Sequence, residues 1–247
     1  MKYTLTIGWL YPELMSTYGD RGNILVLQKR CEWRNVNINI KEITIGSDLK
    51  EMDNCDFFFM GGGEDKKQEI CAKDLIPTGK GKILMEMLEN NIPGLFICGA
   101  YQFLGKYYQP AVGDKIPGLG FLDLYTIHPG IEKPRCIGNI VTQFSTFNLV
   151  GFENHGGRTY LGKNLKPLAT VIKGFGNNDE DKTEGAVYKN TFGTYLHGPL
   201  LPKNPVFADL LIKLALQNKY HNEVKLEVLD DALENTAHDA VIEKYGH

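Results

Sequence analysis

The sequence predicts an α/β fold: a mostly parallel central sheet with helices on both faces, plus an antiparallel β extension. Three observations carry this reading. Asp56 to Met60 and Gly94 to Ile97 are short, nearly continuous apolar runs, the pattern of strands covered on both faces. Through the first hundred residues such runs alternate with segments of helical period, which is how parallel strands are connected. From Phe121 to Val150 the chain changes to β-type runs broken by turn residues, with Pro129 and Pro134 among them, as expected of antiparallel hairpins beside the main sheet.

Taken in order, Tyr3 to Trp9 alternates as a first strand, and a loop punctuated by Pro12, Gly19 and Gly22 follows it. Ile24, Leu25, Leu27, Gln28 and Cys31 predict a helix over about Asn23 to Trp33, and Asn37 to Ile43 predicts a second strand. The third strand, Asp56 to Met60, ends in Gly61-Gly62-Gly63. Lys80 to Asn90 is helical by period, and Gly94 to Ile97 is the next central strand. The polar, glycine-rich stretch Lys173 to Gly185 reads as a surface loop. Ala186 to Asn190 and Thr191 to Leu196 read as a hairpin. Asn204 before Pro205 predicts a capped helix to about Asn218, with Leu210, Leu211, Leu214 and Ala215 facing the core. Glu227 to Lys244 predicts a helical tail, and a face of Leu226, Leu229, Leu233 and Ala237 reads as core by default or else as an interface. No repeat, low-complexity tract or linker divides the chain, so residues 1–247 read as one domain, with a core over about 3–218 and a tail over about 222–247.

Composition narrows the function classes. A formal charge of −3 with no basic run argues against nucleic acid as a partner. The apolar stretches fall short of the roughly 18 to 20 residues that span a bilayer, and the start lacks the pattern of a signal peptide. A soluble, cytoplasmic chain with no direct membrane insertion is expected. Five cysteines, at 31, 55, 71, 98 and 136, form no Cys-x-x-Cys pair, and there is no His-Glu-x-x-His, so reduced thiols and no metal site are expected. Thr78-Gly79-Lys80-Gly81-Lys82 lacks the spacing of a phosphate-binding loop, and no Gly-x-Gly-x-x-Gly follows the first strand. The chain carries no motif for ATP or a dinucleotide.

One segment stands out chemically. Gly94 to Gly105 runs from an apolar strand into Cys98, then Gly99 and Ala100, then an amphipathic stretch, the outline of a nucleophile elbow. Small neighbours permit the tight corner, and the following helix aims N–H groups at the sulfur, which favours a thiolate. The alternative is a buried cysteine packed as a small hydrophobe at a strand end. A nucleophile needs a base and oxyanion donors. His197 ends an apolar strand before Gly198-Pro199, and His155 in Glu153-Asn154-His155-Gly156-Gly157-Arg158 is its rival. Either histidine could instead be an ordinary hydrogen-bonded residue. Gly61-Gly62-Gly63 could aim N–H groups at an oxyanion or be a plain tight turn.

Taken together, these pieces resemble the class I (triad-type) glutamine amidotransferases of the CobB/CobQ-like branch. The matching points are Gly61-Gly62-Gly63, Cys98-Gly-Ala-Tyr-Gln102, Phe152-Glu-Asn-His-Gly-Gly-Arg158 and Tyr195-Leu-His-Gly-Pro199. Tyr18-Gly-Asp-Arg-Gly-Asn23 and Phe175-Gly-Asn-Asn-Asp-Glu-Asp181 are similar to segments of the glutaminase subunits of lipid II isoglutaminyl synthases. The resemblance implies that Cys98 attacks the side-chain amide of L-glutamine, His197 protonates the departing ammonia, and a thioester is then hydrolysed. It implies Gly62 or Gly63 with Gly99 as the oxyanion hole, Gln102 as a glutamine-binding residue, and Arg135 on the glutamine α-carboxylate. It further implies a heterodimer with a Mur-ligase-like, MurT-like subunit that uses ATP and Mg to amidate D-glutamate of lipid II, which would bring the chain to the inner face of the membrane.

One departure from the family pattern follows. The glutamate usually found two residues after the histidine is Pro199 here. Either another residue of this chain, Glu153 for instance, takes its place or, the preferred expectation, the partner subunit donates a carboxylate. Other functions compatible with the sequence are a cobyric-acid-synthase-type amidation module, though such chains carry an ATP-binding domain ahead of this one, a silent scaffold module, and a cysteine peptidase.

Overall fold

The computed structural model describes residues 3–246. Met1 and Lys2 of the first segment and His247 of the tail lie outside the described residues. The first half alternates strand and helix: β1 (Thr4–Leu10), α1 (Arg21–Glu32), β2 (Asn37–Ile43), β3 (Phe57–Met60), α2 (Asp65–Leu75), α3 (Lys80–Glu89), β4 (Gly94–Ile97) and the short α4 (Gly99–Leu104). The second half is mainly β: β5 (Tyr107–Gln109), β6 (Ile116–Pro117), β7 (Leu124–Ile127), β8 (Cys136–Phe144), β9 (Phe147–His155), β10 (Arg158–Leu161), β11 (Ala169–Lys173), β12 (Thr183–Glu184), β13 (Ala186–Tyr188) and β14 (Thr191–Thr194). Helices α5 (Pro205–Tyr220) and α6 (Ala232–Tyr245) close the chain.

The central sheet has the order β13-β14-β4-β3-β1-β2, and every pair in it is parallel except β13 with β14. Every residue of β3, β4 and β14 is buried, as continuous apolar runs require in a doubly covered sheet. Strand order reverses around β1, which has β2 on one side and β3 on the other. Such a reversal opens a crevice at the carboxyl ends of the strands, where ligands bind in open α/β sheets. The loops after β1, β3, β4 and β14 gather at this end.

The β extension consists of two four-stranded sheets, β10-β7-β5-β6 and β12-β11-β8-β9. The second is antiparallel throughout, built on the long β8–β9 hairpin, whereas the first includes one parallel pair, β5 with β7. Buried side chains from Leu5 to Val224 form one hydrophobic cluster.

Four local expectations are corrected. Helix α2 was not anticipated. Asn204 precedes α5 but makes no side-chain cap; its amide instead pairs with both backbone groups of Val150, pinning β9 to the helix start. Lys173 to Gly185 is not simply a surface loop, because Asn177, Asn178 and Glu184 are buried. Their polarity is used internally: Asn177 donates to Gly185 O and accepts from Tyr101 Oη. The tail helix is not core, since α6 buries no residue and Leu233 is 80% exposed, although Val224 ahead of it joins the hydrophobic cluster. It is tethered by charge, because buried Arg30 forks onto both Asp209 and Asp231, and Arg34 adds a second fork on Asp209.

Candidate active site

Cys98 occupies the corner between β4 and α4 with φ 50° and ψ −106°, a conformation unfavourable for any residue with a side chain. The surrounding bonds hold it there. Its N–H donates to Thr194 O on neighbouring β14 at 2.7 Å, and its carbonyl accepts from Gln102 N at 2.9 Å. Only glycine fits at position 99, because a Cβ there would lie 2.8 Å from Gln68 Nε2 and 2.9 Å from Gly63 O.

His197 follows β14 and is fully buried, its backbone paired in both directions with Phe152 of β9. Its Nδ1–H donates to Asp20 Oδ1 at 3.1 Å, and Asp20 is likewise fully buried. The carboxylate at the imidazole therefore comes from this chain's own β1–α1 loop. Glu153 does not serve, because its two oxygens accept from Phe175 N and Gly176 N and tie down the loop after β11. The Nδ1 position expected to await a partner's carboxylate is already filled. Pro199 contributes to this arrangement by standing against the Asp20 loop, where a Cβ on Gly22 would meet its ring at 2.4 Å.

Asp20 has a second bond, accepting from Gly62 N–H through Oδ2 at 2.6 Å. That bond occupies the Gly62 donor, so the expectation of Gly62 as an oxyanion donor is corrected. The N–H groups of Gly63 and Gly99 donate to no other described group and stay free for that task. Gly62 has a different use: a Cβ there would lie 2.6 Å from His197 Cε1 and 3.4 Å from Cys98 Cβ, so its bareness lets the two side chains converge.

The electrostatics of His197 follow from these neighbours. Burial by itself pushes the imidazole pKa down, but negative charge on Cys98 and Asp20 outweighs it and raises the value to about 10. His155 is in a different setting. Its ring stacks on Tyr195 at 3.7 Å, its Nδ1–H donates to Gly157 O, and burial lowers its pKa despite Glu153 nearby. It is a neutral, oriented ring that also lines the cavity above Cys98.

A cavity of about 570 Å³ opens above Cys98, lined among others by His197, Gln68, Gln102, Tyr18 and Arg135. Arg135 stands just before β8, exposed, and donates through Nε to Asn154 Oδ1 and through Nη2 to Asn154 O at the cavity wall. Tyr18 packs edge-on against His197 and accepts from Asn154 Nδ2 at 2.7 Å. Cys98, His197, Gln102, Arg135, Gly63 and Gly99 thus converge, His155 lines the same cavity, and Glu153 supports it from behind. Sequence reasoning quoted the segment containing Asp20 without seeing its chemistry, and it passed over Gln68. Among the described residues no cluster of three or more His, Cys, Asp or Glu is arranged to hold a metal ion, and no helix is long and apolar enough to cross a membrane.

A strained cysteine corner beside a buried His–Asp pair, on the carboxyl edge of a parallel sheet, is the construction of cysteine-dependent acyl-transfer enzymes. A family model described as the CobB/CobQ-like glutamine amidotransferase domain matches residues 6–205, and the chain belongs to that family. It is 46% identical over 218 residues to the lipid II isoglutaminyl synthase (glutamine-hydrolyzing) subunit GatD of Staphylococcus aureus, covering 88% of this chain and 86% of that protein. The GatD subunit of Streptococcus pneumoniae is 40% identical over 94% of this chain and 88% of its own length. Cobyric acid synthase of Listeria innocua is 31% identical over 69% of this chain but only 34% of its own length. In fold, the chain is similar to the glutaminase domain of Trypanosoma brucei CTPS with bound acivicin, at TM-score 0.51 and 10% identity, covering 90% of this chain and 96% of that one.

Proposed function

We propose that this chain is the glutaminase subunit of a lipid II isoglutaminyl synthase. The observation that carries the chemistry is the buried His197–Asp20 pair beside Cys98 at the elbow. Similarity to two GatD subunits over most of the chain favours lipid II over the cobyric acid alternative.

The Cys98 thiolate attacks the carboxamide carbon of L-glutamine, and the N–H groups of Gly63 and Gly99 receive the oxyanion. Protonated His197 gives its proton to the leaving nitrogen, so ammonia departs and a γ-glutamyl thioester remains. Acylation removes the negative charge on Cys98, the largest influence raising the His197 pKa, and the buried ring then tends toward its neutral form. Neutral His197 can take a proton from the water that hydrolyses the thioester to glutamate. Gln102 and Arg135 recognise the amino acid, the latter by charge on the α-carboxylate.

Ammonia released here is useful only to an enzyme that activates a carboxylate. A Mur-ligase-like partner with its own ATP and Mg would use it to amidate D-glutamate of lipid II, with the chain working at the cytoplasmic face of the membrane. With Asp20 already at His197, the isolated chain is expected to hydrolyse glutamine unaided. Glutamate release by the purified chain, abolished in Cys98→Ser, tests this. Release only in the presence of the partner would refute an in-chain acid, and none under any condition would refute the glutaminase. Passage of ammonia between the subunits is tested by adding labelled free ammonia in excess, which should stay out of the product.

A further inference from the structure

Gln68 lies on α2, just past the loop that carries Gly63, and is 3% exposed. Its amide touches three parts of the site at once. Nε2 donates to Gly63 O at 3.1 Å and to Gln102 Oε1 at 3.2 Å, and the amide lies flat against Gly99, whose missing Cβ would collide with it.

The polarity of these bonds can be deduced. Gly63 O only accepts, so the nitrogen of Gln68 must face it, and the second N–H of that nitrogen then meets Gln102. Gln102 is thereby obliged to turn Oε1 toward Gln68 and Nε2 toward Tyr195 Oη, to which it donates at 3.0 Å. Tyr195 Oη also shares a hydrogen bond with Thr159 Oγ1 at 2.6 Å, which bonds Thr126 in turn. A rotated Gln102 amide would set its Nε2 against Gln68 Nε2, whereas the Tyr195 hydroxyl can serve as donor or acceptor, so it is Gln68 that fixes the direction. One N–H and one lone pair of Gln102 are left, with fixed direction, for a ligand. Meanwhile Gln68 Oε1 is buried without a hydrogen bond. A side chain selected for stability would not bury an unbonded oxygen, whereas one selected for its two donors would.

We propose that Gln68 is a positioning residue for glutamine recognition: it sets the direction of the Gln102 amide and pins the Gly63 carbonyl beside the oxyanion donor. The inference rests on the glutaminase reading. It separates the Gln102 amide and the Gly63 loop from reactivity of the thiol, because Gln68 bonds Gln102 and Gly63 and makes no bond to Cys98 or His197.

The test uses the full chain with Gln68→Leu and Gln68→Glu, and three readouts: kinetics of glutamine hydrolysis, alkylation of Cys98 by iodoacetamide, and the thermal midpoint. Gln68→Leu removes both donors, so it should raise KM for glutamine about tenfold, the loss of roughly one oriented bond, with the midpoint lowered only modestly because the unbonded oxygen goes too. Gln68→Glu offers only acceptors, inverts Gln102, and should raise KM at least as far. Iodoacetamide, too small to use Gln102, should alkylate both variants at the wild-type rate. KM unchanged in Gln68→Leu, or alkylation falling in parallel with turnover, overturns the proposal while leaving the glutaminase intact. A wild-type chain that releases no glutamate overturns the reading beneath it.

Discussion

At the scale of single residues, Asp20 divides one carboxylate between two tasks, one oxygen orienting His197 and the other holding the Gly62 peptide. Asp20→Asn should preserve the outline but lose the acceptor that selects the Nδ1–H tautomer. We expect kcat for glutamine hydrolysis to fall roughly 10² to 10⁴-fold. The same change removes a negative charge that raises the His197 pKa toward about 10. The imidazolium is the acid form, so with its pKa lowered the alkaline limb of the pH profile should move to lower pH. A limb that stays in place would mean that Asp20 does not act on the imidazole. Gln68 and Gln102 show the same economy in neutral groups, where direction rather than charge is what the neighbour supplies.

At the scale of elements, the site depends on loops from distant strands being held together by close contacts. Gly22, in the first turn of α1, allows the Pro199 ring to sit against the Asp20 loop. A methyl at position 22 would meet a rigid ring, so Gly22→Ala should destabilise the protein by about 1 to 3 kcal/mol and lower kcat by displacing Asp20. Thermal unfolding and glutamine turnover, measured together, check it; loss of stability with full activity would show that the loop does not depend on this contact. The helix carrying Gln68 explains why it escaped notice in the sequence. Its buried positions are Gln68, Cys71, Ala72 and Leu75, a helical spacing whose first member is polar, while the conspicuous Ile70 is 43% exposed. The functional residue itself disrupts the pattern that would have announced the helix.

At the scale of the whole molecule, β14 couples the site to a buried acid behind it. Glu184 Oε1 accepts from Thr194 Oγ1 and Tyr195 N, and burial raises its pKa from the ordinary 4.5 to about 7. The folded protein therefore retains a proton that the unfolded chain releases between these values. Stability from this group is fully present below about pH 4.5 and is lost as pH rises through about 7. Glu184→Gln keeps the accepting oxygen and has no proton to lose. Between pH 5 and pH 8 the wild-type midpoint should decline by roughly 5 °C more than that of the variant. Parallel curves would place the proton elsewhere.

Local order was legible in the sequence wherever a short-range rule governs it. The strands Asn37–Ile43 and Gly94–Ile97 were anticipated at their observed bounds, since apolar period and strand length are properties of neighbouring residues. The elbow at Cys98 was legible for the same reason. The tail was misjudged because α6 is held by Arg30 and its acidic partners rather than by an apolar face. What only the tertiary structure decided is the pairing of Asp20 with His197, which stand 177 positions apart, and the loss of Gly62 as a free donor. The sequence by itself determined the alternation of most strands and helices and the strand-to-helix corner at Cys98. The direction of each hydrogen bond at the site depends on groups that meet only when β1, β3, β4 and β14 align their carboxyl ends, and pairwise geometry of that kind leaves no periodic trace in a chain.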